Sequence, residues 1–271
     1  MLKQRVITAV VLLAVLALLL VFASPTVFAF VLALIVAAAA WEWSRLCGVG
    51  NEHAQVAFAT VVGVVSLVAM HSPLVEFGIR WIMLAGFLFW LSIPVQFYLS
   101  PVLAPVKKAS VIWLAIGVFV LPIAALSIHY LRSYAPSASS WLLLYVLGMV
   151  WVMDIGAYFS GRRFGKRKLA LLISPGKSWE GVYGGLACSA VLFVLLLVFG
   201  SWPDGIAFNL FIATLFAAAF SVIGDLFESR LKRAAGLKDS SQLLPGHGGV
   251  LDRIDGVIAA LPVFVFFWTW M

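Results

Sequence analysis

Charge is scarce in this chain. Only 11% of its 271 residues are Asp, Glu, Lys or Arg, against about a quarter in an ordinary soluble domain, and that excludes a water-soluble fold. Cysteine is scarcer still. Cys47 and Cys188 are the only two, too few and too far apart for a disulfide framework or a zinc site, and both read as packing residues. No internal repeat is visible. What is abundant is hydrocarbon: 64% of the residues are hydrophobic, gathered into runs separated by short polar segments.

Nine such runs cover residues 6–23, 27–41, 54–70, 81–98, 110–130, 141–159, 182–199, 206–223 and 257–270. A helical bilayer crossing takes roughly 17–25 residues, so the second and last are short. The alternating pattern of a membrane β-barrel is absent. The expected fold is an all-α polytopic integral membrane protein of about nine transmembrane helices. Residues 1–140 would form an N-terminal scaffold of about five helices, and 141–271 a catalytic region with two long cytoplasmic loops. The start, a basic pair at Lys3 and Arg5 before an apolar run, has the look of a signal peptide. The run is long and further spans follow, so an uncleaved first helix is expected.

Sixteen of the eighteen Lys and Arg residues fall on one side of that topology, leaving Arg80 and Arg132 on the other. Cytoplasmic loops concentrate basic residues, which puts the N-terminus and both long polar loops in the cytoplasm. The net charge of +7 is therefore a topology signal and no sign of nucleic-acid binding; Lys3, Arg5, Lys107 and Lys108 need no further role. Leu131 to Ser140 reads as a plain external connection. Trp41, Trp43, Trp81, Trp268 and Trp270 lie near span ends and read as interfacial anchors. The first five spans carry almost no charge and read as scaffold.

The chemistry follows residue 141. Asp154 lies inside the sixth run, where an acid is costly unless it faces a polar cavity and a partner. The loop after it carries Arg162, Arg163, Lys166, Arg167 and Lys168, then Ser174-Pro-Gly-Lys-Ser-Trp-Glu180. This reads as a turn entering a helix, with Lys177 and the helix N–H groups suited to phosphate. Gly176-Lys177-Ser178 matches the end of a Walker A loop, but Leu171 stands where the first glycine belongs and no β-strand is expected before it, so a P-loop is rejected.

The last polar stretch, 229–255, is the densest. Asp225, Glu228 and Ser229 are spaced to share one helix face, and Asp252 and Asp255 likewise. Hard divalent cations take carboxylate oxygens and bridge to phosphates, so two acidic faces beside Lys232, Arg233, Lys238 and Arg253 suit metal-assisted phosphoryl or nucleotidyl transfer. Gly246, Gly248 and Gly249 let backbone N–H groups approach an anion. His247 either orients a phosphate or base or is a plain turn residue. Asp252-Arg253-x-Asp255 can also be read as a capped helix start.

These residues resemble the integral-membrane phosphatidate cytidylyltransferases (CDP-diacylglycerol synthases). The family pattern is met by Ser229, Leu231, Lys232, Arg233, Lys238, Asp239, Pro245, His247, Gly248, Gly249, Asp252, Arg253 and Asp255. Asp154-Ile-Gly-Ala-Tyr158, Phe164-Gly165-Lys166 and Gly224-Asp225 are similar too, whereas Gly176-Lys177-Ser178 departs from the family's more usual Lys-Lys-Thr. The resemblance implies transfer of CMP from CTP to phosphatidate at the bacterial cytoplasmic (inner) membrane. Asp225, Asp252 and Asp255 would hold Mg²⁺, with room for a second cation such as K⁺, and Lys232, Arg233, Lys238 and Arg253 would bind phosphates. Gly248 and Gly249 would cradle the triphosphate beside Ser229 and His247, and Asp154 and Lys177 would complete a polar cavity. Its partners would be CTP, phosphatidate and membrane lipids, with no nucleic acid, and a homodimer is admitted. Two rivals are a secondary transporter of a phosphorylated solute, which would show paired midplane helix breaks, and a CDP-alcohol phosphotransferase, whose longer four-carboxylate motif is not reproduced.

Overall fold

The structure is a computed structural model that describes residues 2–100, 102–106, 108–133, 139–200 and 205–270. Lys107, and residues 134–138 of the expected external connection, lie outside the described residues. Helices α1 (Leu2–Phe22), α2 (Pro25–Leu46), α3 (Glu52–Met70), α4 (Pro73–Leu99), α5 (Val111–Ser133) and α6 (Ser139–Phe164) are followed by a small hairpin, β1 (Lys168–Ala170) and β2 (Ser174–Ser178). Then come α7 (Trp179–Phe199), α8 (Ile206–Ala234), the single turn α9 (Leu251–Ile254) and α10 (Val257–Trp270).

Each of the nine apolar runs is helical, and the chain is an all-α polytopic membrane protein. Among the described residues seven helices, α2 to α8, are long and apolar enough to cross a bilayer, whereas α1 offers the shorter run Val6–Phe22 and α10 has 14 residues. The second run is longer than expected at both ends, and its start is set by Ser24, whose Oγ accepts from Val27 N at 3.3 Å with Pro25 in the first turn. Pro suits that position because its missing N–H would have no helical partner there. At their polar ends α6 and α8 continue well past the apolar runs. Arg162 and Arg163 thus occupy the last turn of α6, and Lys232 and Arg233 that of α8, where cations meet the negative end of the helix dipole.

The chain divides into two compact units, each assembled from separate segments: Met1–Phe77, Leu103–Leu142 and Leu231–Ile254 form one, and Gly78–Val102, Leu143–Arg230 and Asp255–Met271 the other. In unit one α2 packs on α3 and α5. Trp43 belongs to this core and is no interfacial anchor: it is wholly buried, and its indole N–H donates to the Trp113 carbonyl at 2.8 Å. Buried indoles generally find such a partner. Trp81 and Trp270 do sit exposed, edge to face at 5.4 Å.

In unit two α6 and α7 approach through small residues, as membrane helices do when backbones pack closely. A Cβ on Gly156 would lie 2.8 Å from Cys188 Sγ. α10 stacks aromatic rings on α4, with Phe87 and Phe266 parallel at 4.6 Å. The hairpin lies where the sequence reads as a turn entering a helix. Lys168 pairs with Ser178 and Ala170 with Ser174, and the tip residues Leu171 and Leu172 are exposed. A strand therefore does precede Lys177, although Leu171 still bars a P-loop. Both cysteines are free, and burial pushes the Cys47 thiol up to about 12.

Candidate active site

In unit one the site is a polar loop knotted around a carboxylate. α8 ends where Leu237 N donates to the Lys232 carbonyl at 2.8 Å and Gly236 takes a positive φ of 72°. The loop that follows closes on itself, Leu244 pairing with Gly248 around the Pro245–His247 turn. It then enters α9, which spans only 251–254. Asp255 lies beyond that turn, so Asp252 and Asp255 do not share a helix face. Asp252 instead folds back into the loop. Its Oδ1 accepts from Lys232 Nζ at 2.6 Å; its Oδ2 accepts from Ser240 N at 2.9 Å, Ser240 Oγ at 2.9 Å and Gly249 N at 2.8 Å.

A carboxylate has about four acceptor positions; here Oδ2 is crowded by three protein groups and Oδ1 takes the Lys232 ammonium. Burial works against ionisation of Asp252. The hydrogen bonds from Lys232 and Gly249, the Lys232 charge and the Ser240 N–H outweigh it, so the carboxyl is held below its usual range.

The neighbouring glycines serve the same knot. Gly248 has φ +86°, open only to glycine without strain, and a Cβ there would lie 2.8 Å from Asp252 Oδ2. A Cβ on Gly249 would lie 2.6 Å from both carboxylate oxygens of Glu42. The Gly249 N–H is thus spent on Asp252 instead of standing free for a triphosphate.

Glu42 is the residue that sequence reasoning missed. It belongs to α2, in the part of the chain that reads as scaffold, and it is wholly buried. Its oxygens accept from Ser241 Oγ at 2.5 Å, Val250 N at 2.9 Å and Leu251 N at 2.6 Å, and the Ser240 hydroxyl, whose one proton goes to either this carboxylate or that of Asp252, lies 3.0 Å away. One signal was available: an acid flanked by two tryptophans at the end of a span, with Arg45 three residues on. Arg45 itself donates to the Ser240 carbonyl at 3.4 Å.

Unit two holds a polar cavity of 630 Å³ lined by Asp154, Arg162, Lys168, Lys177 and Asp225, among others. Lys177, on β2, reaches α8, its Nζ 2.5 Å from Asp225 Oδ2. Ser229, one turn along α8 as its spacing predicted, donates to Asp225 Oδ1 at 3.2 Å. Glu180, in the first turn of α7, accepts from Lys166 N at 3.1 Å and from Arg167 N and Nε at 3.2 Å, which fixes the basic loop at the cavity edge. Beside this cavity, and sharing Val182 and Val222 with it, lies an apolar one of 580 Å³ lined by Pro94, Phe97, the hairpin tip, Trp179 and Leu226. Asp255 accepts from Gly256 N at 2.7 Å. Its backbone carbonyl packs so tightly on Gly224 that no Cβ fits there, and this brings α8 against Asp255 beside Asp225.

The structure therefore brings Lys232, Asp252, Gly248 and Gly249 together in unit one, and Asp154, Lys177, Asp225 and Ser229 in unit two. Arg233, Lys238 and Arg253 are exposed, and the half-buried His247 has a buried Nδ1 with no hydrogen-bond partner. Among the described residues no three His, Cys, Asp or Glu side chains form a metal-holding group. Both Asp252 oxygens face protein donors. Asp154 and Asp225 share one cavity, supply the oxygen donors that suit Mg²⁺, and one of them already faces a cationic group.

Residues 3–271 match the model of the cytidylyltransferase family. The chain belongs to that family. It is similar to the phosphatidate cytidylyltransferase of Pseudomonas aeruginosa, 42% identical over 97% of this chain and 96% of that one. It is also similar to the protein of the same name from Haemophilus influenzae, 36% identical over 99% of both. The Brucella suis phosphatidate cytidylyltransferase is 41% identical over 57% of this chain and 56% of its own. A cytidylyltransferase has to hold two polyanions together, and both units offer lysines already steered by carboxylates.

Proposed function

We propose that this chain transfers the CMP moiety of CTP to phosphatidate, giving CDP-diacylglycerol and pyrophosphate. The observation that carries the reading is end-to-end similarity to two proteins named phosphatidate cytidylyltransferase. The adjoining cavities of unit two support it, because an apolar chamber beside a cationic one suits a lipid with a phosphate headgroup.

A phosphatidate phosphate oxygen attacks the α-phosphorus of CTP. A new P–O–P bond forms, the α–β bridge breaks, and pyrophosphate leaves with the electron pair. The nucleophile is already ionised, so no base is required; repulsion between the reactants is the obstacle. Lys177, Lys168 and Arg162 neutralise phosphate charge at the cavity of unit two; within unit one, Lys232 is the cationic group set for a phosphate. Fixed cationic donors of this kind stabilise charge that develops in the transition state without reorganising at the moment of reaction. Asp225, with Asp154 beside it in the cavity, would hold Mg²⁺, which when bound offsets charge on the phosphate oxygens.

The concentration of basic residues in the segments carrying these groups supports a cytoplasmic N-terminus and an active face on the cytoplasmic side of a bacterial inner membrane. The test is purified protein given CTP labelled in its α-phosphate, phosphatidate and Mg²⁺. Labelled lipid and pyrophosphate are expected, with loss of both in EDTA and with ATP in place of CTP. Absence of labelled lipid under all conditions overturns the reading.

A further inference from the structure

The acid that anchors the unit-one loop comes from the far end of the chain. Three donors and the Ser240 hydroxyl, which it shares with Asp252, meet the Glu42 carboxylate, and all of them belong to residues 240–251. Removing a carboxylate from water is costly unless its oxygens are satisfied, so this arrangement commits the loop to one course. Ser240 links that course to the rest of the site. Its Oγ lies 3.0 Å from Glu42 Oε2 and 2.9 Å from Asp252 Oδ2, and Asp252 in turn lies 2.6 Å from Lys232 Nζ. An unbroken path of polar contacts thus runs from Glu42 through Ser240 and Asp252 to the Lys232 ammonium.

We propose that Glu42 is a positioning residue for the transfer reaction: its carboxylate fixes residues 240–251 and so holds Asp252, and through it the Lys232 ammonium, where a substrate phosphate is met. The proposal rests on the cytidylyltransferase reading above and on the role given there to Lys232. Glu42 touches no substrate in this scheme. What it supplies is acceptor capacity, and Gly249 is glycine because the Glu42 oxygens fill the space a side chain would need.

Gln at this position keeps the volume of Glu but turns one acceptor into an NH₂ that faces donors. Asp keeps both acceptors and the charge but loses reach. Packing alone would favour Gln over Asp; acceptor capacity favours Asp over Gln. The experiment measures kcat and KM for CTP with the full-length wild type, Glu42→Gln, Glu42→Asp, Ser240→Ala and the double variant Glu42→Gln/Ser240→Ala. Rates are normalised to folded protein recovered as a single species in detergent.

Glu42→Gln should lower kcat by about tenfold or more with KM for CTP changed by less than about threefold, the sign of an interaction that matters in the transition state. Glu42→Asp should retain more turnover than Glu42→Gln, and Ser240→Ala should show a smaller loss. The double variant should be within about twofold of Glu42→Gln, because both changes cut one path. Wild-type kcat in Glu42→Gln, Gln equal to or better than Asp, or a double-variant loss equal to the product of the single losses overturns the proposal. If Glu42→Gln does not fold, Ser240→Ala decides: wild-type turnover in that variant overturns the proposal and a loss of kcat supports it. A wild-type chain that yields no labelled lipid removes the parent reading and the proposal together, and is distinguished by needing no variant.

Discussion

Lys232 and Asp252 form a shielded ion pair, Nζ to Oδ1 at 2.6 Å with side chains 10% and 5% exposed. The two residues are twenty positions apart, so the pair clasps the end of α8 to the loop that returns toward α10. A shielded pair adds little net stability when both charges are removed together, but breaking it by removing one partner costs about 3–5 kcal/mol. Asp252→Ala should therefore lower both the unfolding temperature and turnover. Lys232→Met/Asp252→Leu should recover much of the stability and none of the activity. Thermal unfolding in detergent alongside the CTP assay reads both quantities; recovery of activity in the double variant would remove Lys232 from phosphate binding.

The same carboxyl gives the protein an acid-side weakness. Its value in the fold is below the unfolded value, so its contribution is complete above about pH 4 and is lost as pH falls through the lower folded value. Unfolding temperature followed from about pH 6 downward should fall in the wild type. Asp252→Asn should start lower at neutral pH and decline less steeply over the acid range. Equal slopes in the two proteins would contradict this.

Lys177 and Asp225 make a different prediction, because their pair is more open, with side chains 25% and 30% exposed, and exposed pairs contribute about 0–1 kcal/mol. Lys177→Ala should leave the unfolding temperature nearly unchanged while raising KM for CTP or phosphatidate. Asp225→Asn should shift the Mg²⁺ concentration for half-maximal rate upward by about tenfold, as loss of a carboxylate ligand would. An unchanged Mg²⁺ dependence would exclude Asp225 as a ligand.

Orientation is open to direct labelling. Cys47 is fully buried with its thiol pushed up to about 12, so it should be silent to a membrane-impermeant maleimide, which reacts with thiolate. With Cys188 replaced by Ala, Lys168→Cys should label in inverted membrane vesicles and not in intact spheroplasts. The reverse pattern would place the basic loop outside.

Gly249→Ala tests the steric part of the loop. The added methyl must enter space held by the Glu42 oxygens and the Ser240 hydroxyl, and overpacking of this kind costs roughly 1–3 kcal/mol. Lower stability and reduced turnover are expected in the assays above.

The spans were legible because hydropathy alone selects lipid-facing helices, and the placement of Asp225 and Ser229 on one face followed from helical spacing. Helix ends were not legible. α6 and α8 run on into polar sequence, where intrahelical hydrogen bonds continue although the apolar signal has stopped. The glycines at 248 and 249 announced close approach to an anion but could not say which; the structure supplies two of its own, Asp252 and Glu42. The partners of Glu42 were not legible, because they lie about two hundred positions away, beyond the reach of any local pattern. The hairpin at 168–178 was hidden for another reason: Pro175 and Gly176 argue for a turn, and only the pairing of Lys168 with Ser178 makes a strand of them.

The span from Glu42 to Ser241, 199 residues, carries a consequence for biosynthesis. α2 leaves the ribosome and enters the bilayer long before its acceptors' donors are translated, so the nascent chain must shelter an unsatisfied acid until the last tenth or so of the polypeptide emerges. A chain cut short before residue 240 carries none of the groups at 240–251 that satisfy that acid.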